Sequence, residues 1–167
     1  MGFSVDKLTG SALFTDLTAA EIEKILSLAR EVNWEEGDTI CSEGDTGESI
    51  FIIYSGSVRI SKKLTLYHSG QDEDSGDKVL RNVDATRPIV LGEMAMLTNQ
   101  QRTASVTATR KCEGLEINGC QLTGLCKAQP DLGYNIMHNL ACILSEHLKA
   151  ANHDVTRLAT ALTVALG

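Results

Sequence analysis

Positive charge is scarce in this sequence: 15 Lys and Arg against 22 Asp and Glu leave a net charge of −7 and a pI near 5.0. Nucleic acid and anionic membranes are gripped by a basic face, so neither is expected as a partner of this chain alone. An anion bound here has to be taken into a pocket. Long apolar runs are missing too. No stretch reaches the length of about 18 apolar residues that suggests a membrane helix, and the N-terminus, MGFSVDKLTG, lacks a basic segment followed by an apolar one. A cytoplasmic location is expected. The lipidation pattern opened by Met1-Gly2 fails at Asp6, where Ser or Thr is needed.

Catalytic and metal signatures are also absent. The cysteines Cys41, Cys112, Cys120, Cys126 and Cys142 are odd in number and form no Cys-x-x-Cys pair. They read as small buried thiols in a reducing compartment. No Gly-x-Ser-x-Gly nucleophile motif occurs. A cupin-type metal centre needs several histidines on strands, whereas His68 reads as a loop residue and His138, His147 and His153 fall along one helix. His147 and His153 are six residues apart, off the spacing that puts two ligands on one helical face, and read as a solvated or dimer-flanking face. The acidic run Asp72-Glu73-Asp74 with Asp77 fails as a calcium loop because Gly76 and Val83 stand where ligands belong. It reads as a solvated, mobile loop. No enzymatic activity, metal or cofactor is expected.

What is present suits one domain with an appendage: 167 residues, 43% hydrophobic and 22% charged. Over residues 15–31 apolar positions recur at helical spacing, with Thr18 as N-cap and Glu21 as its capping-box partner. From Val32 onward, turns at Gly37-Asp38, Gly44-Asp45 and Ser55-Gly56 punctuate β-type runs, including SIFIIYSGSVRI, which suggests an antiparallel barrel or roll. Residues 61–78 read as a hairpin with a polar tip, and 105–117 as a further strand. Gln129-Pro130-Asp131 then marks a helix start.

Along that last helix Met137, Ala141, Leu144, Leu148, Ala151, Val155, Leu158, Leu162 and Ala165 recur at alternating spacings of four and three, a heptad seam. A helix of roughly 35 residues runs about 50 Å, longer than a small barrel covers. Parallel homodimerisation through the seam is one reading. A helix folded back on its own domain, with a break near Asn152-His153, is the other.

The stretch LGEMAMLTNQQRTASV at 91–106 carries the most chemistry. A glycine at the head of a short helical turn allows close approach of a ligand to backbone, and the first amides of the turn lack intrahelical partners. Gly92, Met94 and Ala95 are candidate donors to an anion. Arg102, nine residues after Glu93, adds a planar fork of N–H groups suited to phosphate. A carboxylate beside a phosphate makes sense if Glu93 accepts a hydrogen bond from a neighbouring hydroxyl, as in a sugar phosphate. The bland alternative is a helix cap followed by a strand, with Glu93 and Arg102 pairing locally.

Gly-Glu, a short apolar turn, the Arg and then a small residue, Ala or Ser, and Val resemble the phosphate-binding cassette of cyclic nucleotide-binding domains. GDTI…GDTGESIFIIYSGSVRI, with Gly37, Gly44 and Gly56, resembles that family's β-roll turns, and the likeness runs from about Leu13 to Leu148. Arg87-Pro88, Leu91 and Gln101 depart from its pattern. The resemblance implies an α+β fold: an antiparallel β-roll, a double-stranded jelly-roll-like barrel, flanked by an N-terminal helix and a long C-terminal helix. It divides the chain into a ligand-binding unit at 1–128 and a lid and dimerisation helix at 129–167.

The implied ligand is cAMP or cGMP. The phosphate would fall to Arg102, the ribose 2′-hydroxyl to Glu93, and the cradle to Gly92, Met94 and Ala95, with Ala104 and Ser105 as wall. Thr103 holds a place where a hydroxyl can contact guanine. Asn139, Leu140 and Ile143 are candidate lid residues. The implied function is a homodimeric regulatory domain whose last helix shifts on binding and acts on a downstream protein partner. Dimeric bacterial transcription regulators share this layout but add a helix-turn-helix, which these 167 residues do not contain. A ligand-free dimerisation module and a sensor fragment of a DNA-binding regulator remain as alternatives.

Overall fold

Ile50-Phe51-Ile52-Ile53 is an uninterrupted apolar run, and its burial explains how the molecule is layered. In a strand successive side chains face opposite ways, so such a run needs cover on both faces. Ile50 and Ile52 pack toward helices with Leu13, Ile25, Leu115, Ile117, Leu122, Ile136 and Leu140. Phe51 and Ile53 face inward, among Trp34, Ile40, Val58, Leu91, Val106 and Ala108. The structure, a computed structural model, describes residues 5–68 and 71–166.

Among the described residues, eight strands form two four-stranded sheets. One is ordered β1 (Ala29–Trp34), β8 (Cys112–Asn118), β3 (Ser49–Ser55), β6 (Ile89–Leu91). The other is ordered β2 (Thr39–Cys41), β7 (Ser105–Ala108), β4 (Ser57–His68), β5 (Gln71–Asp84). Every pairing is antiparallel. This is the expected β-roll with flanking helices. Trp34 meets Phe51 edge-on inside it, ring centroids 6.0 Å apart.

Helix α1 (Ala19–Leu26) starts on the full capping box of Thr18 and Glu21 but is shorter than residues 15–31. Ala29 onward pairs with β8 instead, because Trp34 has to reach the interior of the roll. The single strand read at 105–117 is two strands on different sheets, with the chain crossing between them at 109–111. Helix α2 (Glu93–Thr98) follows β6, and α3 (Gly119–Ala128), capped by the Asn118 side chain, precedes the long helix.

Residues 61–78 do form part of a hairpin, but the acidic run lies on β5, in register with β4, rather than in a loop. The two residues at its tip, 69 and 70, lie outside those described. His68 ends β4 instead of sitting in a loop. Cys112 and Cys126 are buried, whereas Cys120 and Cys142 are exposed, so the cysteines are not uniformly interior.

Helix α4 (Pro130–Leu166) is continuous over 37 residues, with no break at Asn152-His153, and spans about 55 Å. Leu132, Ile136, Asn139, Leu140 and Ile143 are buried against the roll and the N-terminal turns. Beyond Ala150 every described side chain is exposed. Among the described residues no helix is long and apolar enough to cross a membrane.

Candidate functional site

Gly92 closes β6 and opens α2 at a φ of 87°, and a Cβ there would strike the Arg102 guanidinium and come within 2.9 Å of the Ser49 carbonyl. Both demands select glycine. The first backbone bond of α2 runs from the Met96 N–H to Gly92 O at 3.2 Å. The amides of Glu93, Met94 and Ala95 come before it and have no place in the helical ladder. Ala95 is buried, and a Cβ on Gly47 would collide with its methyl group. The segment before β3 therefore lies directly on the helical turn.

Arg102 is 7% exposed. Its backbone is tied to the same segment: its N–H donates to Asp45 O at 2.8 Å and its carbonyl accepts from Gly44 N–H at 2.9 Å. Nη2 donates to Ser49 O at 2.7 Å and Nη1 to Gly92 O at 3.1 Å. The guanidinium also lies over the Phe51 ring, 5.3 Å from its centroid, within cation–π range. Among the described residues no carboxylate forms an ion pair with it. A buried cation whose hydrogen bonds all go to neutral carbonyls, and which feels the Glu116 carboxylate only at a distance, has room for a closer anion.

Behind it, Glu116 of β8 accepts from Ser49 Oγ at 2.9 Å and pairs with Arg30. Burial pushes this carboxyl up, yet hydrogen bonds from Arg30 and Ser49 outweigh it and hold the group below the usual carboxylate range. Glu116 thus steadies the strand end whose carbonyl holds Arg102.

Glu93 is 4% exposed. Its Oε1 lies 3.1 Å from Nδ1 of His147 on α4, and the ring N–H donates to the carboxylate. Glu93 and Arg102 are therefore not paired with each other. Gly92, Ala95 and Arg102 lie together around Gly47 and the Ser49 carbonyl, while the Glu93 carboxylate turns to α4. Met94 and Thr103 are exposed neighbours, Met94 Sδ and Thr103 Oγ1 being 3.9 Å apart. Ala104 and Ser105 are half-buried, and the Ser105 hydroxyl accepts the Glu43 N–H at 3.0 Å, so it serves the wall of the roll.

The expected lid residues are placed differently. Asn139 Nδ2 donates to Leu13 O at 2.9 Å and Thr15 O at 2.8 Å, and Leu140 and Ile143 are core side chains. They anchor α4 and do not face the site. Among the described residues of α4, His147 reaches it, a residue expected on a solvated or dimer-flanking face. Its signal was present: Ile136, Leu140, Ile143 and His147 continue one stripe at spacings of four, three and four. Gly47 and Ser49 were also missed, because a close approach and a backbone carbonyl leave no residue-type signature.

A profile of the cyclic nucleotide-binding domain matches residues 31–129. The chain belongs to the cyclic nucleotide-binding domain family. Among proteins it is similar to, the Cyclic AMP receptor protein of Thermus thermophilus is 28% identical over 152 residues, covering 90% of this chain and 63% of that protein. The cGMP-dependent protein kinase egl-4 of Caenorhabditis briggsae is 26% identical over 113 residues, 68% of this chain but only 14% of the kinase. The crystal structure of the Thermus thermophilus Catabolite Activator Protein matches with a TM-score of 0.69 at 26% identity, over 89% of this chain and 63% of that one. The chain thus spans less than two thirds of the length of these relatives.

Proposed function

We propose that this chain is a regulatory receptor module for a cyclic nucleotide, cAMP or cGMP, which signals through the position of α4. The observation that carries the reading is the Arg102 guanidinium: 7% exposed, unpaired with any carboxylate among the described residues, and seated against the unladdered amides of α2. It takes the cyclic phosphate together with the amides of Met94 and Ala95, while Gly92 keeps the space open and Glu93 accepts the ribose hydroxyl. Ala104 and Ser105 form the wall. Thr103, exposed beside Met94, faces the base side. Family relatives differ in their nucleotide, one being a cyclic AMP receptor and another a cGMP-dependent kinase, so both ligands belong in the test. The exposed seam of α4, with Leu148, Val155, Leu158 and Leu162, joins two copies in parallel, and the output is passed to a protein partner.

Thermal unfolding with and without each nucleotide, run beside Arg102→Ala, tests this reading. With ligand at about 100-fold over Kd, linkage stabilises the fold by about 2.7 kcal/mol, a rise of roughly 5–11 °C in Tm. A rise with one nucleotide that disappears in Arg102→Ala is the expected result. No rise with either, from a cooperatively folded protein, assigns the chain to a dimerisation module without a ligand.

A further inference from the structure

The apolar stripe that seats α4 on the body of the protein, Leu132, Ile136, Leu140 and Ile143, is followed four residues later by a histidine, and that histidine meets a buried carboxylate. Glu93 is 4% exposed, and among the described residues its side chain has one hydrogen-bonding partner, His147. A carboxylate taken out of water needs such a partner. The two side chains differ sharply in exposure, 39% for His147 and 5% for Glu93. The imidazole can therefore leave for solvent at little cost, while the carboxylate cannot. His147 also stands where α4 parts from the body: Ile143 is buried, and Leu148 is 61% exposed.

We propose that His147 is an internal stand-in for the ligand's hydroxyl, occupying Glu93 in the empty receptor, and that nucleotide binding has to displace it. This rests on the receptor reading, in which Glu93 accepts the ribose hydroxyl. The competition is for Oε1, the oxygen that His147 reaches; where the ribose hydroxyl takes that oxygen inside this buried site, the imidazole has to leave it. That exclusion supplies what any ligand-driven movement requires, a contact present in one state and lost in the other. Release of His147 frees the turn of α4 that leads into its exposed half, so the nucleotide reaches the distal helix through one broken hydrogen bond. The latch also lowers apparent affinity, since only the fraction of molecules with Glu93 free is competent to bind.

The experiment is titration of the full chain with cAMP and with cGMP, by calorimetry, for the natural sequence, His147→Ala, Glu93→Ala and the double variant. His147→Ala is expected to bind about tenfold more tightly. In the Glu93→Ala background, where neither donor has an acceptor, the same substitution is expected to leave affinity unchanged, an outcome that a general loosening of α4 does not produce. Binding by His147→Ala where the natural chain binds neither nucleotide supports the latch at its strongest. Equal or weaker binding by His147→Ala overturns the latch and leaves the receptor reading standing. Absence of binding by both the natural chain and His147→Ala overturns the receptor reading, and the latch with it.

Discussion

The two halves of α4 share one helix, yet they are covered in different ways. The stripe that seats the first half, Leu132, Ile136, Leu140 and Ile143, lies one residue off the seam that runs through Leu148, Val155, Leu158 and Leu162. From Leu132 to His147 the helix is fastened to its own chain: by Leu132, Ile136 and Leu140 in the core, by Asn139 to two carbonyls of the N-terminal segment, and by His147 to Glu93. From Leu148 onward its large apolar side chains stand in the open, Val155 64% and Leu158 59% exposed. The comparison separates period from partner. A repeat of apolar residues shows which face of a helix wants cover, but whether the cover is the same chain or another copy depends on how far the helix outruns its body.

The largest expected effect breaks the fastened half. Leu140 is fully buried, and Leu140→Ala removes its packing and leaves a cavity, a loss of about 2–5 kcal/mol. Urea unfolding should show this as a lower midpoint with an unchanged slope. The open half should respond to a different measurement. Leu158→Glu with Leu162→Glu places charges on the seam, and a dimer held there should dissociate on the order of 100-fold more readily. Sedimentation should then show a monomer whose unfolding midpoint at fixed protein concentration is no higher than that of the natural chain. If the natural chain is itself a monomer at high concentration, the seam has another partner.

What the sequence made legible divides along the same line. The roll, the capping box at Thr18, the continuity of the last helix and the nearness of Arg102 to Gly92 all follow from local chemistry: turn glycines, alternation, a cap, a fork of donors. The misses are long-range. Whether residues 105–117 make one strand or two depends on which sheet each half joins. The acidic run looked like a loop by composition, but its backbone pairs with β4, and composition reports nothing about a partner strand. Glu93 was expected near Arg102, and its partner came from a helix 54 residues away in sequence. Asn139 was a candidate lid residue for its place on the early part of the last helix. Its polarity instead serves two backbone carbonyls, a need that only the folded neighbourhood reveals.

The smallest expected effect sharpens the comparison through pH. The fastened half of α4 rests on strands and caps that carry titrating carboxylates, whereas Val155, Leu158 and Leu162 of the open seam carry none. On β8, Leu115 and Ile117 face the helices and Glu116 faces Ser49. Burial raises the Glu116 carboxyl, but hydrogen bonds from Arg30 and Ser49 prevail and leave it below its ordinary value. With the folded value below the unfolded one, near 4.3, the unfolded chain binds more protons in the interval between them, so stability rises with pH there. The contribution is complete above about pH 5 and is lost as pH falls through the lowered folded value. Because Arg30 is largely exposed, its size stays below about 1 kcal/mol. Urea unfolding from pH 6 to pH 3 should lose stability less steeply in Glu116→Gln than in the natural chain. Equal slopes would mean that the Arg30 and Ser49 bonds do not hold the carboxylate in solution, and that the carbonyl of Ser49 is kept on Arg102 by the sheet alone.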